Sequence, residues 1–210
     1  MKNIAKQLVL LFLCAILLTS CSASRLLSTW KSESTTQFSI SKVLVIGISQ
    51  EETKRRIYED TFTDSLLAID IEAVPSYTTS KEPIEPTEKH LREVIKNSGC
   101  DSVLITHVVG SSEKDYYQRY SKIMGTNDYD YYGSGRGLYG YYPYIYRSVY
   151  RGGSYTSTTK VILETSLYDV HTEKLIWYAR SESIDPVMTR KYYQKLINLF
   201  LNDLKTKQIL

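Results

Sequence analysis

Residues 43–48 read VLVIGI and residues 102–109 read SVLITHVV, and these two apolar runs decide the fold. Each has the length of a strand and lacks polar alternation, which is typical of a strand covered on both faces. Helical patterns occupy about 51–68 and 86–97, and a short strand pattern occupies 71–77. This order predicts parallel strands that are joined by right-handed crossovers.

The second half of the chain has a different pattern. Residues 155–170 and 174–182 are rich in strand-forming side chains and predict an antiparallel hairpin. Asp185-Pro186 then predicts the start of a last helix over about 186–205. The sequence therefore predicts a single α/β domain over 38–207 with a mixed sheet of about five strands. The predicted order is strand, helix, strand, helix, strand, hairpin and C-terminal helix.

The N-terminus has the features of a targeting segment. Lys2 and Lys6 precede an apolar run from Leu8 to Leu18, which is too short to span a bilayer as a helix. Leu18-Thr19-Ser20-Cys21 follows and resembles the lipobox of bacterial lipoproteins. The resemblance implies that residues 1–20 are a signal peptide and that Cys21 becomes the acylated N-terminus. In the alternative interpretation the signal peptide is an ordinary one and Cys21 is incidental.

Lipidation at Cys21 predicts attachment to a membrane through the N-terminal lipid, because two or more acyl chains anchor a protein stably. Residues 21–37 are rich in Ser and Thr and are expected to form a lipidated tether. Ser22 follows the Cys, and by resemblance to Gram-negative sorting a residue other than Asp there implies the outer membrane, with the domain facing the periplasm.

Charge and cysteine content argue against a nucleic-acid-binding protein and against a catalytic thiol. The 26 Lys and Arg residues include Lys2 and Lys6, which leaves 24 basic against 23 acidic side chains in the mature chain. No strong positive field remains, so no nucleic-acid partner is expected. Cys100 would be the one free thiol after acylation of Cys21, and we expect it to be buried and structural rather than catalytic.

A tyrosine- and glycine-rich insertion, residues 116–155, is the most unusual feature. It holds 13 of the 19 Tyr and 7 of the 10 Gly residues and is expected to contribute little to a core because it lacks aliphatic runs. Three interpretations stay open: a solvated loop that covers the domain, a surface for a protein partner, or a surface for a glycan such as peptidoglycan. The candidate interaction surface comprises Tyr129, Tyr131, Tyr132, Tyr139, Tyr141, Tyr142, Tyr144 and Tyr146.

Linear motifs for catalysis, metals or cofactors are not found. Residues 135–140 match G-x-G-x-x-G, but no apolar strand precedes them, so no dinucleotide is expected. The three His residues have no metal-ligand spacing, and neither catalytic nor metal-binding residues are predicted. Glu164 is interpreted as an acid or, more commonly for such a residue, as a rim residue paired to Lys or Arg. Asp169 is expected to fix the hairpin turn, and Trp177 is expected in the core.

The ordered pattern KVLVIGIS, SVLITHVV and VILETSLYDVHTEKLIWYARSES resembles a family of small uncharacterised bacterial lipoproteins. Its layout is also similar to the α/β domains of envelope-assembly lipoproteins: the curli secretion lipoprotein, the peptidoglycan-synthase activators and the N-terminal domain of the Tol periplasmic protein. These resemblances imply a non-enzymatic binding or assembly module with an envelope protein partner. The alternative is an envelope hydrolase or a peptidoglycan- or glycan-binding protein.

Overall fold

The structure, a computed structural model, describes residues 24–33, 39–79, 87–110, 137–151, 160–184 and 186–210. The elements in chain order are β1 (Ser24–Lys31), β2 (Lys42–Ile48), α1 (Glu52–Leu67), β3 (Glu72–Pro75), α2 (Ser76–Thr79), α3 (Glu88–Ser98), β4 (Ser102–Gly110), α4 (Gly137–Arg151), β5 (Lys160–Asp169), β6 (Leu175–Ile184) and α5 (Arg190–Thr206). Cys21, Tyr129, Tyr131 and Tyr132 lie outside the described residues.

All six strands belong to one sheet in the order β1-β6-β5-β4-β2-β3. Strand β2 pairs in parallel with β3 and β4, whereas β4–β5, β5–β6 and β6–β1 are antiparallel pairs. The predicted mixed α/β sheet is confirmed, but it has six strands in the described residues rather than about five. One end of the sheet holds the first residues of β1 and β5 and the last residues of β6, β4 and β2. We call it the Ser24 end.

The additional strand is β1, which lies where the sequence analysis expects part of the 21–37 tether. Ser24–Lys31 pairs with β6 along the sheet edge. Leu26 packs against the core, Thr29 donates a hydrogen bond to Asp203, and Arg25 forms an ion pair with Glu182 at 3.0 Å. An edge strand needs few apolar side chains, so its Ser- and Thr-rich sequence resembles a linker. The expectation that residues 21–37 form a lipidated tether is therefore wrong for residues 24–31, which belong to the sheet.

Helices α1 and α5 cover one face of the sheet. Phe62, Leu196 and Phe200 are fully buried there together with Trp177 of β6, as expected for this residue. The Phe62 and Phe200 rings are stacked with centroids 6.4 Å apart, and Trp177 meets Phe200 edge-on at 5.9 Å. Aromatic pairs of this kind add to the stabilisation from area burial, so this face is a conventional apolar core.

Helices α3 and α4 cover the opposite face. Leu91, Val94 and Ile95 of α3 meet Leu44 and Ile46 of β2, as the predicted helix spacing requires. Gly99 ends α3 with φ 64°, in the left-handed conformation that favours glycine, as expected from its place after the helix.

Helix α4 corrects the expectation that the insertion contributes little to a core. Leu138, Tyr142, Ile145 and Val149 recur at i, i+4, i+7 and i+11 and are buried against this face. Residues 137–151 are thus part of the hydrophobic core. The remaining residues of the 116–155 insertion lie outside the described ranges.

The last helix begins later than the sequence predicts. Helix α5 starts at Arg190, and its N-cap is Thr189, whose hydroxyl accepts a hydrogen bond from the Tyr192 amide. Pro186 lies before the helix and belongs to no helix or strand. Asp185-Pro186 has the composition of a helix start, but the Thr189 hydroxyl supplies the cap four residues further on.

Candidate functional site

The structure separates the predicted tyrosine surface into a buried and an accessible part. Tyr139, Tyr141 and Tyr142 are buried, whereas Tyr144 and Tyr146 are partly buried. Tyr150, which the prediction omitted, is 44% exposed. The buried tyrosines therefore serve the core, and only the outer side of α4 is accessible to a partner.

Tyr146 and Tyr150 form a stacked pair on that outer side. They are one helical turn apart, and their ring centroids lie 4.3 Å apart with an interplanar angle of 11°. Partial burial raises the pKa of Tyr150 to about 12, so its hydroxyl stays neutral at physiological pH. We call Tyr146 and Tyr150 the tyrosine pair.

Helix α4 is held to the sheet at both ends, so the tyrosine pair has a rigid support. Near its end, Gln50 donates to the Val149 carbonyl and the Tyr150 hydroxyl donates to the Ser49 carbonyl, both at 2.9 Å. At its start, the Leu138 amide donates to the Glu173 carbonyl at 2.9 Å. Such contacts reduce the entropy that an aromatic surface loses on binding.

A cation–π contact strengthens the start of α4. The guanidinium of Arg92 lies 3.5 Å from the centroid of the Tyr139 ring. Arg92 also forms ion pairs with Glu88 at 2.9 Å and with Glu173 at 3.0 Å. These contacts join α3, α4 and the β5–β6 turn at the end of the sheet opposite the Ser24 end.

A layer of buried polar side chains lies on the same face as α4, on strands β4, β5 and β6. Glu164 is 1% exposed, and its Oε1 accepts hydrogen bonds from Arg180 Nη2 at 2.9 Å and Nε at 3.2 Å. His107 Nε2 lies 3.6 Å from Glu164 Oε2. The predicted pairing of Glu164 with Arg or Lys is confirmed, but the residue is buried and not on a rim. We call His107, Glu164 and Arg180 the charged layer.

The pairing register explains the charged layer. Glu164 lies directly across from His107 on β4 and from Arg180 on β6. Cross-strand neighbours on one face approach closely, so the three side chains must meet. Sequence reasoning missed His107 and Arg180 because their partnership depends on this register, which no linear spacing reveals.

Burial controls the charge state of His107. Removal from water lowers the pKa of the imidazole below its usual value, Glu164 opposes that shift, and Arg180 adds to it. Its Nδ1 has no hydrogen-bond partner among the described residues. The Tyr141 ring meets the imidazole edge-on, with the centroids 6.4 Å apart. The imidazole Nε2 and the Glu164 carboxyl oxygen, 3.6 Å apart, are in ion-pair range but beyond hydrogen-bond distance.

A second buried carboxylate lies beneath the end of β2. Glu59 of α1 is fully buried and accepts hydrogen bonds from the Gly47 amide at 2.9 Å and the Ser76 hydroxyl at 2.8 Å. Burial raises the pKa of this carboxyl. The Gly47 backbone approaches closely, because an added Cβ would lie 3.3 Å from Arg55 Cγ. The arrangement joins α1, β2 and α2 and is structural.

Other candidate residues have structural roles. Cys100 is buried as expected, and burial raises the pKa of its thiol, which disfavours a reactive thiolate. Asp169 accepts hydrogen bonds from the His171 amide at 2.7 Å and the Thr172 hydroxyl at 2.8 Å, so the predicted turn role is confirmed.

The described residues contain no cluster of three or more His, Cys, Asp or Glu side chains that could hold a metal ion. None of the helices in the described ranges is long and apolar enough to cross a membrane.

Comparison with known proteins gives structural neighbours only. The sequence matches no protein-family model and no curated protein. The dodecamer of a PelC variant from Paraburkholderia phytofirmans is 10% identical over 85% of this chain and 95% of its own, with a TM-score of 0.42. The lipoprotein GNA1162 from Neisseria meningitidis is 13% identical over 79% of this chain and 99% of its own, with a TM-score of 0.37. Likenesses this distant carry no argument about function.

Proposed function

We propose that the chain is a lipid-anchored protein of the bacterial cell envelope whose α/β domain is a non-enzymatic binding or assembly module. The observation that carries this proposal is the tyrosine pair, a partly exposed aromatic surface on a helix that is fixed at both ends. Tyrosine offers a large amphipathic contact area and has little side-chain entropy to lose, which suits a protein partner.

The anchor in this proposal is the acylated Cys21, in the outer membrane with the domain facing the periplasm. Its support is the sequence: a positive start, an apolar run too short to span, and a lipobox-like Leu18-Thr19-Ser20-Cys21. An anchored domain meets its partners in a thin layer at the membrane, which raises their effective concentration. A weak tyrosine contact is then sufficient for assembly.

The anchor is tested with Cys21→Ser. The expected result is loss of the lipid mass and release of the protein from the membrane fraction, measured by intact-mass spectrometry and flotation. Ser22→Ala is the matched control and should keep both the mass of the lipid and the membrane fraction. A Cys21→Ser protein that is processed and membrane-bound with unchanged mass would contradict the lipoprotein assignment.

Partner binding is tested by crosslinking in intact cells and mass spectrometry of what the protein captures. Deleting 116–155 is unsuitable because it removes core residues such as Leu138 and Tyr142. The variant is Tyr146→Ser with Tyr150→Ser, and the control is Leu67→Ser, an exposed apolar position at the end of α1. A partner captured by the parent and by the control, but lost from the double variant, is expected. Equal capture by all three would exclude this surface.

Peptidoglycan is the alternative ligand for the same surface, because a tyrosine ring can stack on a sugar face while its hydroxyl donates a hydrogen bond. Co-sedimentation of the purified domain with insoluble peptidoglycan distinguishes the two ligands. Sedimentation that the double variant loses would replace the protein partner with a glycan. No sedimentation of either protein would leave the protein partner as the ligand of the tyrosine pair.

An envelope hydrolase is the second candidate function, and the charged layer is the observation that favours it. Glu164 and His107 form a buried carboxylate–imidazole pair, which is the kind of pair that serves as a general acid or base. Release of soluble fragments from cell-wall material would be abolished by His107→Gln in an enzyme, with Leu67→Ser as the control. Absence of fragment release from the folded parent supports the binding module.

A further inference from the structure

We propose that the domain docks onto the membrane that holds its own lipid, through the Ser24 end of the sheet, with Ile184 and Val187 in contact with the bilayer. This inference rests on the proposed lipidation of Cys21 and adds an orientation and a contact surface to it. The occupant of the surface is the lipid bilayer itself.

The length of the intervening chain provides the first argument. Ser24, the first residue of β1, is three positions after Cys21. Three residues extend over at most about 11 Å. The start of β1 must therefore lie within about one headgroup layer of the acylated residue, which leaves no room for a long flexible tether.

The pairing of the strands shows which other residues lie beside Ser24 and therefore near the membrane. Ser24 pairs with Ser183 near the end of β6, and Lys160 at the start of β5 pairs with Ile184. Neighbouring strands are about 4.8 Å apart, so Ile184 lies close to Ser24. The chain continues through Val187 to the start of α5. These residues approach the membrane together with the anchor.

Two large apolar side chains are exposed at this position. Ile184 is 49% exposed and Val187 is 72% exposed. Single exposed apolar residues are common on protein surfaces. Their location is what matters here, because an anchored domain already presents this end to lipid. Interfacial apolar side chains enter the boundary between headgroups and acyl chains by about 5–10 Å.

Basic side chains lie on the same strand ends and at the start of α5. Arg25 and Lys160 both form ion pairs with the same buried carboxylate, Glu182. The three groups together therefore carry one net positive charge. Lys191 is exposed in the first turn of α5. Positive groups within a Debye length of anionic lipid are attracted to the membrane surface. The combination of apolar and basic groups fits an anionic bilayer.

The β5–β6 turn provides an internal reference. Lys174, the residue before β6, is exposed. Strand β6 runs from this turn to Ile184, and its 10 residues extend about 33 Å. Lys174 is thus an exposed position that should lie well away from the bilayer.

The test measures the depth of two labels on the full-length lipidated protein. Cys100 is replaced by Ala, and an environment-sensitive fluorophore is attached at Val187→Cys or, as the control, at Lys174→Cys. The proteins are reconstituted in vesicles of phosphatidylethanolamine and phosphatidylglycerol that contain nitroxide-labelled lipid. Quenching several-fold stronger at position 187 than at position 174 is expected, together with a blue shift of the label at 187 alone.

Three results would overturn the proposal, and they are distinguishable. Equal quenching at positions 187 and 174, in protein that floats with vesicles and carries the lipid mass, refutes the docking but leaves the anchor intact. Protein without the lipid mass that does not float refutes both the anchor and the docking. A third result, stronger quenching at position 174, refutes the docking by placing the opposite end on the membrane.

Discussion

The two faces of the sheet are built differently. The face covered by α1 and α5 buries stacked and edge-on aromatic rings, such as Phe62, Phe200 and Trp177. The face covered by α3 and α4 is apolar over β2 but carries Glu164 and Arg180 on β5 and β6. Burial of the ion pair has a desolvation cost that apolar residues of similar size would not have. The first face therefore supplies stability, and the charged part of the second is where a role other than stability should be sought.

The largest effect is expected on the aromatic face. Phe200→Ala should lower the free energy of unfolding by about 3–5 kcal/mol, because it removes a fully buried ring and leaves a cavity beside Phe62 and Trp177. Urea denaturation followed by circular dichroism measures the change. Phe200→Leu is the control and should cost clearly less. Equal, small losses for both would show that this face does not dominate stability.

The charged layer gives the next effect. Glu164→Ala should cost about 3 kcal/mol, because it removes the described carboxylate partner of the buried Arg180 guanidinium. The double variant Glu164→Leu with Arg180→Met should recover most of that loss. Urea denaturation of the parent and both variants is the measurement. A double variant less stable than Glu164→Ala would mean that the ion pair itself stabilises the fold.

Protonation of His107 produces a smaller, pH-dependent effect. Its pKa is lowered by burial, so the unfolded chain binds the proton more readily than the folded one. The stability contributed by the neutral imidazole is present above the unfolded pKa of about 6.5 and is lost as the pH falls toward the folded pKa. As the pH falls from 7.5 to 5, the urea midpoint should decrease less in the His107→Gln variant than in the parent protein. Parallel declines in the parent and in the variant would contradict this.

The smallest effect is expected at Glu59, with the opposite sign. Its pKa is raised by burial, so folding becomes less favourable as the pH rises above the usual carboxyl value. Glu59→Gln keeps an acceptor for the Gly47 amide and should change stability at pH 7 by less than about 1 kcal/mol. Glu59→Ala should cost more, because it leaves that amide unpaired. Thermal melts of the parent and both variants at pH 4 and 7 measure these effects. A Glu59→Gln variant as unstable as Glu59→Ala would contradict the prediction.

The crossover part of the fold could be predicted because its signals are local. Residues 43–48 and 102–109 are apolar strands at the predicted places, and Gly99 ends α3 as its position after the helix indicates. The β5–β6 hairpin also follows from composition, and Asp169 fixes its turn as expected. The spacing of apolar residues and the turn-forming residues between them were sufficient to predict these elements.

Other elements could not be predicted because tertiary contacts determine them. Helix α4 contains Pro143 and two Gly residues, which disfavour a helix, yet its apolar side packs on the sheet. Its signal was the spacing of Leu138, Ile145 and Val149, which the many Tyr residues conceal. The charged layer depends on the register between β4, β5 and β6, and only the folded sheet establishes that register.

The position of β1 has a mechanical consequence. The ladder with β6 runs from Ser24, three positions after the proposed anchor Cys21, to Lys31. With that anchor, a force that lifts the domain off a membrane would pull on Ser24 along the strand, and the ladder bonds are perpendicular to that direction. The load is therefore shared in shear by the whole ladder, whereas a pull across the sheet would peel the bonds apart one after another. The strand that most resembles a linker is the part of the domain that carries the load.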